Sequence, residues 1–116
     1  MKIISFAWTT QALLDGKKTV TRRDWDDKYA RSFKQGETAA AYDKNPRAGG
    51  KKIAEIQLTK APYKQWLHEV TDTDEIKEGH LWDTGKAYQS AMGEDRELWV
   101  IEFRIVKWHP LPLNHR

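Results

Sequence analysis

The sequence predicts an α+β domain: a small mixed or antiparallel sheet of five to six short strands, curled into a barrel with helices at its rim. Three observations carry that expectation. The run Leu98–Val106 alternates without interruption, with Trp99, Ile101, Phe103 and Ile105 opposite Glu102 and Arg104, as a strand with one buried face must. Further short runs of this kind are separated by turn residues. The two helical insertions do not fit a βαβ repeat, because only residues 9–18 are placed to be a crossover and that stretch is short.

The elements follow in order. Lys2–Trp8 reads as a strand, with Ile4, Phe6 and Trp8 on one alternating face. Thr9 or Thr10 is placed to cap a short helix through Leu14, and Gly16 to end it in a left-handed turn. Thr19–Trp25 reads as a second strand, with Thr21 and Arg23 on one face and Val20 and Arg22 on the other. The charged stretch 26–36 reads as loop, and Glu37–Tyr42 as a short strand. Asp43–Gly50, with Asn45-Pro46 and Gly49-Gly50, is the clearest loop. Lys52–Thr59 is a strand that continues, bent at Pro62, toward Val70. Thr71–Met92 reads as helical, broken near Gly79 and at Gly85. Residues 1–108 are expected to form one domain and 109–116 a tail containing Pro110 and Pro112.

A chain of 116 residues suits one domain with a core of its own. Mean hydropathy is −0.83, low for a globule, but six Trp, four Tyr and three Phe supply apolar area and argue against disorder. No run is long and apolar enough to span a bilayer, so no membrane partner is expected. The absence of cysteine excludes disulfides, thiolate metal sites and cysteine nucleophiles, and fits a cytoplasmic location. The four histidines lack the i,i+4 spacing of a helical zinc site. His80 with Glu78 and Asp83 is the nearest approach to a metal group, so neither metal nor cofactor is expected. Gly79–Lys86 fails as a phosphate loop, since Ala87 stands where a magnesium-binding hydroxyl is needed.

Charge is unevenly distributed. Residues 1–60 hold 13 Lys/Arg against 7 Asp/Glu, and residues 61–116 hold 7 against 10. A basic first half of this kind attracts anions if its members share a face, the footprint of a nucleotide or nucleic-acid ligand. It also reads as ordinary solvated lysines. The acidic run from Glu69 to Asp83 is expected to be a helical surface.

The informative segment is Gly16-Lys17-Lys18-Thr19-Val20-Thr21-Arg22-Arg23. Thr21 and Arg23 project together from a strand, and Lys18 joins them only if it lies in the preceding turn. A lysine crowded by Lys17, Arg22 and Arg23 and partly desolvated has its neutral form favoured and can act as a base. Thr21 would then be a nucleophile, Arg23 would orient a carbonyl or phosphate, and a carboxylate from elsewhere would donate a proton. On spacing alone the same residues read more readily as an exposed Lys/Thr/Arg strand, threonine being a natural strand former. Among the tryptophans, Trp99 is expected in the core, and the alternation puts Trp8 there too. Trp25, Trp66 and Trp82 fall where a barrel mouth would be, and base–aromatic stacking contributes about 1–3 kcal/mol per base.

The segment Gly16-x-Lys18-x-x-Thr21-x-Arg23, following a strand and a short helix, resembles the N-terminal signature of ASCH domains, members of the PUA-like β-barrel superfamily. Glu78-Gly79-His80-Leu81 is similar to the family's helical Glu-Gly-aromatic stretch, with His80 in place of the aromatic. Leu98-Trp99-Val100-Ile101-Glu102-Phe103 is similar to the closing strand of the short members that act as N4-acetylcytidine amidohydrolases. The resemblance implies that Lys18 activates Thr21 and that Glu78, or Glu75 three residues before it, is the acid–base partner. The expected substrate-binding residues are Arg23, Trp8, Trp25 and Trp82. The expected function is metal-independent hydrolysis of an amide on a modified cytidine. The competing expectations are a non-catalytic reader of RNA or modified bases and, third, a ribonuclease. A nucleoside or RNA is the expected partner, and the sequence leaves the oligomeric state open.

Overall fold

The computed structural model describes residues 1–109, so the tail expected over 109–116 lies outside the described residues except for His109. Six strands form one mixed sheet: β1 (Ile3–Ser5), β2 (Val20–Arg23), β3 (Thr38–Tyr42), β4 (Lys52–Leu58), β5 (Tyr63–Trp66) and β6 (Glu97–Trp108). The strand order is β1-β3-β4-β6-β2, with β5 also paired to β6. The pair β1/β3 is parallel and the rest are antiparallel. The sheet curls into a half-barrel in an α+β fold.

β6 is the spine. Its first half pairs with β2 through Val100↔Arg22 and with β5 through Val100↔Tyr63, and its second half pairs with β4, Phe103 facing Leu58. The chain breaks around Pro62 between β4 and β5, as its sequence predicts, but the strand does not continue to Val70: β5 ends at Trp66 and Leu67–Glu69 forms a 3-10 turn. A register shift at Glu55/Ile56 supplies the extra twist that lets one long strand serve both halves.

Ile4, Phe6, Leu13, Phe33, Ile53, Ile56, Leu58, Trp99, Ile101 and Phe103 make up most of the main core. On the opposite face of β6, Leu98 joins Leu67, Val70 and Tyr88 in a second cluster. The first half of β6 is therefore buried on both faces. The second face is covered by the turn at residues 67–70 and by α4 (Gly85–Met92), and α3 (Asp72–Lys77) is tied to α4 by Gly85 N–H donating to Asp72 Oδ1 at 2.8 Å.

Four expectations are corrected. The first strand stops at Ser5, because Ala7 adopts φ 47° and opens a 3-10 turn over Ala7–Thr9. Phe6 stays inside, whereas Trp8 is thrown outward and is 67% exposed, not core. The stretch 26–36 contains a helix, α2 (Asp27–Arg31), capped by Asp26, whose side chain accepts from Tyr29 N–H. Gly85 opens α4 rather than breaking a helix, with Thr84 as its cap. The remaining short helix, α1 (Thr10–Leu14), ends as predicted at Gly16, φ 73°.

Candidate functional site

Lys18 lies in the turn between α1 and β2. Its backbone N–H is held by Ala12 O at 3.2 Å, and Thr19 N–H by Lys77 O at 2.8 Å, which docks the turn onto the end of α3. The side chain is 2% exposed. Lys18 Nζ donates to Glu78 Oε1 at 2.7 Å and to the Glu78 carbonyl at 3.1 Å. It thereby satisfies an orphan carbonyl at the negative end of α3 and neutralises a carboxylate that the helix end would otherwise disfavour.

Glu78 reaches this position because α3 stops there. Gly79 follows with φ 119°, and a Cβ on it would lie 2.7 Å from Ala12 Cβ. Only glycine lets the end of α3 close onto α1 in this way. The second Glu78 oxygen accepts from Arg22 NH1 at 2.9 Å. Arg22 is itself fixed by Gln65 Oε1 at 3.0 Å and by Asp74 at 3.6 Å. One carboxylate is thus clamped between two buried cations.

Thr21 faces the same hollow from β2. Its Oγ1 accepts from Arg23 Nε at 3.1 Å, and Arg23 NH2 donates to Ser5 O at 2.7 Å. Arg23 has no carboxylate partner among the described residues. It bridges the edge strands β1 and β2 by a side chain, and the hollow opens at that seam. No hydrogen bond joins Lys18 to Thr21 among the described residues.

These groups line a cleft of about 230 Å³. That is below the drug-sized range and suits a single heterocycle. Trp8, Trp82, Tyr88 and Met92 complete its wall, with Trp82 edge-on to both Trp8 (5.4 Å) and Tyr88 (4.8 Å). Burial pushes the Lys18 ammonium below the ordinary lysine range; Glu78 resists the shift, and Arg23 and Arg22 add to it. Burial likewise lowers Arg23 and raises Tyr88, the latter helped by Glu78.

The sequence-predicted residues divide cleanly. Lys18, Thr21, Arg23, Glu78, Trp8 and Trp82 share the cleft. Trp25 does not: it stacks on Phe33 at 5.0 Å and packs α2 onto the main core. Glu75 is fully buried but turned away, accepting from Trp82 N–H at 3.0 Å and bonding His80 Nδ1. The acidic run is therefore not simply a surface, since Glu75 and Glu78 are both interior. Sequence reasoning missed Tyr88 and the inward reach of Arg22. The one signal for Tyr88 was its spacing, three residues after Gly85 and four before Met92 on one helix face. Among the described residues no group of three or more His, Asp or Glu is arranged to hold a metal ion. Nor is any helix among them long and apolar enough to cross a membrane.

The chain is similar in structure to the crystal structure of protein EF3133 from Enterococcus faecalis V583, described under the family model DUF984. The TM-score is 0.71, over 93% of this chain and 77% of that one, at 16% sequence identity. At that identity the likeness establishes the fold alone. No family model and no curated protein matches the sequence.

Proposed function

We propose that this cleft binds a nucleobase or nucleoside and hydrolyses an amide on it, the substrate type being an N4-acylated cytidine such as N4-acetylcytidine. The observation that carries the reading is the buried Lys18–Glu78 pair at 2.7 Å, in one cleft with the Thr21 hydroxyl and two tryptophans. The PUA-like, ASCH-type resemblance of Gly16–Arg23 and the half-barrel fold agree with it.

In the resting pair the proton sits on Lys18. Its transfer to Glu78 leaves an amine and a carboxylic acid, and the depressed lysine pKa makes that exchange accessible. The amine takes the Thr21 proton as Oγ1 attacks the acyl carbonyl, forming a C–O bond and a tetrahedral oxyanion. Arg23, already bonded to Oγ1, stabilises that charge. Glu78 protonates the exocyclic nitrogen as the C–N bond breaks. Water then cleaves the acyl-threonine ester, releasing the acid and restoring Thr21. Hydrogen bonds of this kind commonly tighten only once substrate is bound.

Incubation of the protein with N4-acetylcytidine, followed by ultraviolet absorbance, tests the proposal. Conversion to cytidine is the expected result. Tight binding with the ligand unchanged by mass spectrometry would replace it with the non-catalytic reader, which the basic and aromatic cleft also suits. Cleavage of single-stranded RNA without deacylation would replace it with the nuclease.

A further inference from the structure

The charged groups of the cleft are largely committed, whereas the Ser5 hydroxyl and the Trp8 and Trp82 indole N–H groups have no partner among the described residues. Lys18 and Arg22 are spent on Glu78, Arg23 on Thr21 and the Ser5 carbonyl, and Thr9 Oγ1 on the Phe6 carbonyl. Tyr88 differs. It rises from α4 between Leu67, Val70 and Leu98 on one side and Trp82 on the other, and is 3% exposed. Its hydroxyl has no partner among the described residues. A phenol at this depth ordinarily finds a hydrogen-bond partner, and phenylalanine would fill the same space without needing one. The hydroxyl is not sealed in the core, since it is not among the fully buried unpartnered atoms; it opens onto the cleft that Tyr88 lines, where it is free to donate to a ligand.

The chemistry of the group narrows the ligand. Burial and the Glu78 carboxylate keep the phenol neutral, so it offers an O–H donor and no base. An acyl amide delivered to Thr21 and Lys18 brings its ring into the same cleft as Trp82 and Tyr88. What a neutral donor meets there is an acceptor on the ring.

We infer that Tyr88 reads the ring carbonyl of the ligand, donating its hydroxyl to the oxygen of a pyrimidinone whose acyl amide lies at Thr21 and Lys18. The inference rests on the hydrolase reading of the same cleft and adds the residue that recognises the ring carbonyl of that substrate type.

Two probes separate the claims: 1-methyl-N4-acetylcytosine and 4-acetamidopyrimidine, which lacks the ring carbonyl. Each is titrated into wild type and Tyr88→Phe, with tryptophan fluorescence from Trp8 and Trp82 reporting occupancy. A neutral hydrogen bond is worth about tenfold in affinity at its upper end. Wild type is expected to prefer the carbonyl probe by about that factor, and Tyr88→Phe to lose the preference while binding 4-acetamidopyrimidine unchanged. Equal losses for both probes, or a preference that survives in Tyr88→Phe, would overturn the assignment while leaving the hydrolase reading standing. If the variant fails to fold, the wild-type protein decides alone, and equal affinity for the two probes overturns the assignment. Binding of neither probe to wild type would overturn the hydrolase reading and this inference with it.

Discussion

Two hollows in this molecule each hold an acid–base pair, and burial separates them. In the cleft, Lys18 and Glu78 are bonded at 2.7 Å with side chains 2% and 5% exposed. In the other, of about 190 Å³ and lined by Leu67, His68, Gln89, Ser90, Gly93 and Asp95, His68 Nδ1 meets Asp95 at 2.7 Å with both side chains at least half exposed. The distances are the same, but the surroundings are not. Water screens the exposed pair, and both its members are free to move. The buried pair lies in a medium where each charge needs its partner and where protonation states shift. Contact distance alone therefore says little about which pair does chemistry.

The contrast can be broken most severely at Glu78. Glu78→Ala strands Lys18 without a carboxylate and leaves Arg22 only its longer carboxylate contact, to Asp74, and urea unfolding should show a loss of about 3–5 kcal/mol. Lys18→Met leaves Glu78 paired with Arg22 and should cost clearly less, while reducing any deacylation by about a hundredfold or more. Equal destabilisation by the two would mean that Arg22 does not share the carboxylate.

The tryptophans sharpen the same point. Trp25→Ala removes the stack on Phe33 from the core edge and should cost about 2–3 kcal/mol in stability. Trp8→Ala, at an exposed position on the cleft rim, should leave the melting temperature nearly unchanged and weaken nucleoside binding by about 1–3 kcal/mol. Calorimetry and fluorescence titration on the same two variants would expose a reversal.

Alkaline titration gives a smaller effect of definite sign. The Lys18 pKa is depressed from its ordinary 10.5 in the folded state. Between the depressed value and 10.5 the unfolded chain binds more protons, so unfolding free energy should rise with pH relative to Lys18→Met, and level off above 10.5. Tyr63, pushed up to about 12 chiefly by burial and by its bond to Glu102, acts oppositely above pH 10. The comparison is therefore best read below pH 10, and a falling difference there would contradict the buried-lysine account. Smallest of all is Asp95→Asn, which should change neither stability nor cleft occupancy measurably.

Much of the sheet was legible because alternation is a period-two signal, and within the twelve residues of β6 the run Trp99, Ile101, Phe103 and Ile105 opposite Glu102 and Arg104 carries it. The turn at Gly16 was legible from the residue itself. Other features rest on geometry that no residue type announces. Ala7 enters the left-handed region without being glycine, and that one angle turns Trp8 from the core to the rim. α2 has only five residues, too few to show a periodicity amid its charges, and its apolar anchors Ala30 and Phe33 straddle its end. Glu75 and Glu78 lie nearly one helical turn apart in sequence, and which enters the cleft depends on where α3 ends, a matter decided by the close approach of Gly79 to Ala12.

The measurement closest to the central claim compares turnover and binding in Thr21→Val with those of the wild-type protein, using N4-acetylcytidine. Wild type should deacylate the nucleoside, and Thr21→Val should still bind it, by tryptophan fluorescence, without converting it. Deacylation by Thr21→Val at the wild-type rate, or none by either protein, would contradict the account.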